Sequence, residues 1–513
     1  MPLVDPLLDS GAPRETDISD AVNGFSPRPD EVAVPGLAAE LALPLVVDLD
    51  GTLVVTDTLH ESLLLAAGRH PFRLAALLPH ALGNRAAFKR RLLALARPNP
   101  ELLRYDERVL ELLRQEAGRG RRLILATGAD EGIARAVAAH LDRFCEVFAS
   151  DGTTNLTGLK KAGRLDAELG RGRWLYAGNS RQDLHVWSAS AGAVVVNGGN
   201  GLAEAVRASS IPVLGELPPV KAGRKDWLRL LRLHQWSKNL LTLVPLILAH
   251  RFADLALWKQ ALLGLLAFGC AASATYILND LLDIEADRRH PQKRHRPLAS
   301  GRVVIKTGIG LMVLLALASA LLMLPLPVLA RWALLAYVIV TTAYSVRLKT
   351  LLSLDVVTLA MCYVLRLVFG SFATGIPLSV WTLASAGFFF TSLAFAKRLI
   401  ELRSHSVVES PGDRKRRAYQ SDDIVQVGAQ AAASGFLSVF VVALYINSAE
   451  VRLLYTHPDL LWLLCPVLIW WLSRLLILAN RATIAHDPVA FALKDRGSWC
   501  TLALLVTVLL AAK

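Results

Sequence analysis

Three carboxylates, Asp280, Asp283 and Asp287, close a long apolar segment in the run NDLLDIEAD. Spacings of three and four residues put them on one face of a helix. Acids packed this closely repel one another unless a cation holds them. At the mouth of a membrane helix, with Lys293, Arg294 and Arg296 just downstream, the natural occupant is Mg²⁺ carrying a phosphorylated substrate. A second polar set, Tyr344, Lys349, Asp355 and Arg366, falls two apolar segments later. Asp355 and Arg366 are eleven apart, about three helical turns, so the spacing predicts that both face one groove. Ionisable residues inside an apolar span are functional candidates by default, although such a pair can also serve only to lock helices together. Lys397, Arg398 and the loop DPVAFALKDR add charge, either for binding or for setting topology. A third set lies far upstream, where PLVVDLDGT is a short apolar run that ends in Asp48 and Asp50. A buried strand presenting two carboxylates at its tip can place a nucleophile beside a metal site.

The elements that must position these groups divide the chain in two. Of the 513 residues, 53% are apolar and the formal net charge is +13. Residues 1–41, rich in Pro, Gly, Asp and Glu, read as a disordered leader and not as a secretory signal. Residues 42–215 read as a soluble α/β domain. Apolar runs there end in Asp48, in Thr127 and in Gly178 to Asp183, with helical stretches between, which is the order of a parallel sheet. Residues 57–118 are helical and basic and have the length of a cap. Their Arg85, Lys89, Arg90 and Arg91 could face either anionic lipid or solvent.

Residues 216–238 form a basic interfacial linker, and residues 239–513 an all-α polytopic membrane domain of about nine spans. These lie near 239–256, 259–279, 304–324, 326–344, 351–372, 379–396, 432–448, 459–478 and 498–512. Basic residues crowd before the first span and after the second, fourth, sixth and eighth. The positive-inside rule then places those ends and the N-terminal domain in the cytoplasm, and the chain in a bacterial-type inner membrane. With the positive charge beside apolar spans, lipid headgroups and phosphorylated substrates are the expected partners and nucleic acid is not. The five cysteines form no CxxC pair and suggest no metal or disulfide framework.

Residues 227–513 resemble the UbiA superfamily of intramembrane prenyltransferases through NDLLDIEADRRHPQKRHRPLASG and YSVRLKTLLSLDVVTLAMCYVLRLVFG. The resemblance implies Mg²⁺ and a diphosphate at Asn279, Asp280, Asp283 and Asp287. Many members carry a second aspartate four residues after the first in the later motif, whereas here Leu359 follows Asp355 at that offset. With Tyr344, Lys349 and Arg366, and with AFAKRLIEL, RRAYQSDD and DPVAFALKDR, this looks more like the branch typified by decaprenyl-phosphate phosphoribosyltransferases. In that branch the diphosphate belongs to phosphoribosyl diphosphate and a polyprenyl phosphate is the acceptor. The alternative is a prenyltransferase that passes a polyprenyl group from its diphosphate to an aromatic or other acceptor.

Residues 42–213 resemble the haloacid dehalogenase (HAD) superfamily, whose domains are Rossmann-like. The resemblance implies that Asp48 attacks phosphorus and that Asp50 acts as general acid and then base. It further implies that Thr127 and Lys161 hold phosphate, and that Asp48, Asp50 and Asp183 bind Mg²⁺. Sequence does not separate Lys161 from Lys160, and Asn179 stands where an aspartate is often found.

Overall fold

The computed structural model describes residue 37 and residues 42–199, 201–251, 253–405, 419–484 and 487–513. Apart from Leu37, the expected leader lies outside the described residues, as do Arg414 to Arg417. The chain divides into two compact units, one of residues 1–222 with 288–295 and 299–305, the other of residues 223–287, 296–298 and 306–513.

In the first unit a six-stranded sheet has the order β3-β2-β1-β4-β5-β6, with every pairing parallel. Its strands are β1 (Leu45–Val47), β2 (Leu123–Asp130), β3 (Glu146–Ser150), β4 (Leu175–Gly178), β5 (Gly192–Val196) and β6 (Val213–Leu217). Successive side chains point to opposite faces, and both faces are covered. Leu45, Val47, Leu125, Ala177 and Val194 enter one core, whereas Val46, Ile124, Ala126, Tyr176 and Val195 enter the other. This is why the strands read as continuous apolar runs. The strand order reverses between β1 and β4, which opens the crevice at their carboxyl ends where such sheets bind ligands.

Between β1 and β2 come four helices, α1 (Thr58–Arg69), α2 (Pro71–Leu77), α3 (Arg85–Leu95) and α4 (Glu107–Gly118). Asp57 caps α1 by accepting from the Leu59 and His60 amides, and Asn84 caps α3 in the same way. A small separate core of Leu65, Ala66, Phe88, Leu92 and Ala96 joins α1 to α3. Within this unit Glu61 is fully buried, and its carboxylate accepts from both arms of Arg288 at 2.7 and 2.8 Å.

The second unit is helical, and among the described residues seven helices are long and apolar enough to cross a membrane: Leu255–Leu282, Ile305–Met323, Val328–Val346, Leu354–Thr374, Val380–Arg403, Ser421–Ile446 and Pro458–Asn480. A shorter apolar helix covers Arg496–Ala512. The stretch expected as the first span is instead a 3₁₀ segment, Leu233–Leu243, followed by the short helix Val244–Leu248. Hydropathy predicts an apolar run here but not its backbone form. The segment packs closely on its neighbour: a Cβ on Gly370 would come within 2.0 Å of the Thr242 carbonyl oxygen, so only glycine admits that approach. Ile305–Met323 turns Leu314, Leu317 and Leu321 outward, a surface suited to lipid.

Two candidate active sites

At the carboxyl end of β1, Asp48 is buried and accepts a hydrogen bond from Lys161 Nζ at 2.8 Å. The same ammonium donates to the Tyr176 hydroxyl at 2.7 Å, and that hydroxyl donates to Asp183 Oδ1 at 3.0 Å. Lys161 is therefore the lysine of this site, since Lys160 is exposed. Thr127 is fully buried in β2, and its hydroxyl accepts from the Ala129 amide at 3.0 Å. Asp50 accepts from the Thr58 amide at 2.7 Å, at the start of α1. Gly51 has φ +76°, and a Cβ there would lie 1.9 Å from Asn179 Nδ2, so the Asn179 amide sits directly against the turn that carries both acids.

Burial pushes the Asp48 carboxyl up to about 6, although the Lys161 charge pulls it back. Burial, with the charge of Asp57 behind it, pushes Asp50 up to about 7. The lower value falls on Asp48 and the higher on Asp50, the order a nucleophile and a proton donor require. A cavity of about 70 Å³ opens beside them, lined by Asp50, Asp57, Ser62, Lys89, Leu93 and Asp130 among others. Lys89, one of the basic residues that could have faced lipid, instead donates to the Gly128 carbonyl at 2.6 Å and to Asn155 Oδ1 at 2.8 Å. Its pKa falls below the ordinary lysine value because it is half-buried.

Asp48, Asp50 and the Asn179 amide are oxygen donors of the kind Mg²⁺ takes. Asp183 does not join them. One of its oxygens holds the Tyr176 hydroxyl, while the other accepts from the Asn179 and Ser180 amides at 3.2 and 3.0 Å and from Ser180 Oγ at 2.8 Å. Expected as a metal ligand, it is engaged here by Tyr176 and the 179–180 turn, with Oδ1 3.8 Å from Lys161 Nζ.

The second site lies where Leu255–Leu282 ends. The helix stops at Asp283 and resumes as Ile284–Arg289, so the three acids are not on one continuous face. Arg296 nevertheless bridges two of them, at 3.0 Å to Asp280 and 2.7 Å to Asp287. Arg232 adds a second contact to Asp280, and Lys349 holds Asp283 through both oxygens at 2.6 and 2.7 Å. Three carboxylates at one helix end are a hard donor set that fits Mg²⁺ in kind, yet among the described residues no three acid, His or Cys side chains are gathered closely enough to form a metal cage. Lys293 and Arg294 are exposed, and the Asn279 side chain is half-buried.

Asp355 is 1% exposed and accepts from Arg398 Nε at 2.6 Å and from the Tyr419 hydroxyl at 3.0 Å. Arg398 also donates to the Tyr344 hydroxyl at 3.0 Å, and Lys397 lies half-buried beside it on the same helix. Arg366 does not share this groove. It donates to the Cys362 carbonyl at 2.5 Å, the Tyr337 hydroxyl at 3.0 Å and Asn239 Oδ1 at 3.2 Å, with its guanidinium over Phe268, Tyr337 and Tyr363. Eleven residues bring two side chains onto one stripe, but they also separate them by roughly 16 Å of helix rise. Arg366 thus packs among aromatic rings, and Arg398 is the guanidinium that meets Asp355. Sequence reasoning missed Tyr176, Tyr419 and the pairing role of Arg232. Each sits in or beside a motif already singled out, but nothing in a sequence gives the direction of a tyrosine hydroxyl.

Residues 240–507 match the UbiA prenyltransferase family, and residues 45–187 match the haloacid dehalogenase-like hydrolases. An uncharacterized protein, y4nM, of Sinorhizobium fredii is 36% identical over 480 residues, which cover 92% of this chain and 91% of the relative. A decaprenyl-phosphate phosphoribosyltransferase of Mycolicibacterium smegmatis is 34% identical over 200 residues, 38% of this chain and 61% of that protein. Among solved structures, a UbiA homolog from Archaeoglobus fulgidus bound to GPP and Mg²⁺ aligns with a TM-score of 0.43 and 17% identity, over 55% of this chain and 99% of that one.

Proposed function

Because the chain belongs to the UbiA prenyltransferase family and also carries a haloacid dehalogenase-like domain, we propose that it transfers phosphoribose from phosphoribosyl diphosphate to a polyprenyl phosphate and dephosphorylates a phosphomonoester at its second site. One observation carries the choice of donor. Asp355 has Leu359 where a second acid would be needed, and Arg398 and Tyr419 already answer its charge. That side of the helical unit is therefore suited to an anionic lipid phosphate rather than to a second metal-bound diphosphate. The similarity to decaprenyl-phosphate phosphoribosyltransferases points the same way.

In this reading Asp280, Asp283 and Asp287 hold the donor, with Asn279 beside them, and Mg²⁺, when bound, balances the charge of the departing diphosphate. Arg296, Lys349 and Arg232 already lie against these carboxylates and would turn to the phosphates, with Lys293 and Arg294 as outer contacts. Tyr344, Lys397 and Arg398 would hold the acceptor. A phosphate oxygen of the lipid attacks the anomeric carbon, a new C–O bond forms and the bond to diphosphate breaks. At the other site the Asp48 carboxylate attacks phosphorus while protonated Asp50 delivers a proton to the leaving oxygen. Asp50 then deprotonates the water that hydrolyses the aspartyl phosphate. Thr127 and Lys161 hold the phosphate, and Asp183 steadies Lys161. The transfer product keeps a 5-phosphate, which makes it a candidate substrate for a phosphatase on the same chain.

The proposal extends to the architecture. Leu233–Leu248 and Arg496–Ala512 would complete nine membrane segments, α1–α4 would form a cap over the phosphatase site, and residues 216–238 would link the two domains. The N-terminal domain would face the cytoplasm of a bacterial-type inner membrane. Incubating purified full-length protein with Mg²⁺, labelled phosphoribosyl diphosphate and polyprenyl phosphate should yield labelled lipid. No labelled lipid, together with turnover of an allylic diphosphate in the presence of an acceptor, would establish the prenyltransferase alternative instead.

A further inference from the structure

Between Glu61 and Glu101 the chain contains no acidic residue, but it has Arg69, Arg73, Arg85, Lys89, Arg90, Arg91 and Arg97. Lys89 turns inward to the phosphatase-type cavity. Most of the others are directed outward, and Arg73, Arg85 and Arg91 are exposed.

At the tip of this segment are α2 and the 3₁₀ turn Leu78–Leu82, neither of which buries a single residue completely. Leu74, Leu77 and Ala81 rest against the small core of Phe88 and Leu92, which fixes the orientation of the tip. The opposite side carries Phe72, 90% exposed, and Leu82, 94% exposed, with Leu78 also outward. Large apolar side chains grouped on a soluble α/β unit are unfavourable in water unless something covers them. An apolar tip ringed by cations and free of acids matches the interfacial region of an anionic bilayer, with acyl chains for the ring and leucines and headgroup phosphates for the guanidiniums. Nucleic acid would leave the leucines uncovered, and this chain, with its multiple membrane-length apolar helices, is held at a bilayer in any case.

We propose that residues 70–85 form a second membrane contact, separate from the spanning helices. Phe72, Leu78 and Leu82 enter the interface of an anionic leaflet, and Arg73 and Arg85 pair with its headgroup phosphates. The proposal does not rest on the transfer reaction above. Its consequence is that the mouth of the phosphatase-type site is held at the lipid surface, because α3 carries both Arg85 at the tip and Lys89 in the cavity.

The test uses the full-length protein in lipid nanodiscs, with 4-trifluoromethylphenylalanine in place of Phe72 and fluorine relaxation as the readout. One paramagnetic agent is a lipid carrying a nitroxide high on its acyl chain, and the other is a water-soluble nickel chelate. In discs of phosphatidylcholine with phosphatidylglycerol, the lipid nitroxide should relax the probe several-fold more than in pure phosphatidylcholine. The doubly substituted Arg73→Glu, Arg85→Glu protein should lose that excess while its melting temperature stays unchanged. Relaxation by the nickel chelate alone overturns the contact. Equal relaxation by the lipid nitroxide in neutral and anionic discs overturns its charge dependence. Shielding from both agents means that protein covers the tip, and overturns the lipid as occupant.

Discussion

In the α/β unit burial governs two neighbouring acids and Lys161 reaches only one of them, whereas in the helical unit every site acid is met directly by a cation. Asp48 and Asp50 lie at the end of β1, where burial outweighs the help that Lys161 gives Asp48 and, with the charge of Asp57, raises Asp50 as well. Asp280, Asp283, Asp287 and Asp355 are instead matched by Arg232, Arg296, Lys349 and Arg398. The first arrangement leaves protons to exchange, as phosphoryl transfer through an aspartate requires. The second surrounds its carboxylates with cations, as the proposed holding and releasing of a diphosphate would require. Counting carboxylates would make the two sites look alike, but the balance of burial against pairing separates them.

The largest effect should come from removing one site at a time. Asp280→Asn should cut formation of labelled lipid on the order of 10²–10³-fold and leave hydrolysis of a model phosphomonoester unchanged, with Asp48→Asn doing the reverse. Loss of both activities in either variant would mean that the sites do not work independently. Arg366→Leu should strand the Tyr337 hydroxyl and Asn239, costing about 1–3 kcal/mol of stability in a detergent melt. It should leave KM for phosphoribosyl diphosphate unchanged, while Arg398→Leu raises KM for the lipid acceptor. A tenfold rise in donor KM for Arg366→Leu would restore it as a phosphate ligand.

The smallest effect is one of pH. Because burial raises the Asp50 carboxyl to about 7 in the folded protein, folding favours its protonated form. The cost of ionising it is absent near pH 4 and fully developed above pH 7. Asp50→Asn removes that cost, so the α/β unit should melt a few degrees higher than wild type at pH 8, at roughly 2–4 °C per kcal/mol, and no higher at pH 4. A constant difference across that range would show that Asp50 titrates normally.

Much of this was legible in the residues. Buried parallel strands announce themselves as apolar runs, and the turns that follow β1 and β4 carry Asp48, Asp50 and Asp183. The long apolar helices were equally plain, because a bilayer demands length and composition together. The Asp355–Arg366 pairing failed because eleven residues return a side chain to the same stripe but carry it roughly 16 Å along the helix, where Arg366 meets Tyr337 and Asn239 instead. The first span is not one regular helix: a 3₁₀ segment gives way at Val244 to a short helix with Pro245 in its first turn, and Thr242 packs on Gly370. Lys89 failed as a surface cation because its neighbours on α3 face outward while it alone reaches Gly128 and Asn155.

What the sequence determined by itself was the inventory: two kinds of domain, the acids each uses, and the side of the sheet or the end of the helix where they gather. Those features follow from hydrophobic periodicity and from local spacing, which a chain carries whether folded or not. Tertiary structure decided the partners. Lys161 rather than Lys160 reaches Asp48, Arg398 rather than Arg366 neutralises Asp355, and Asp183 is engaged by Tyr176. Charge pairing falls off within a few ångströms, and distances of that size between remote residues exist only once the helices and strands have packed.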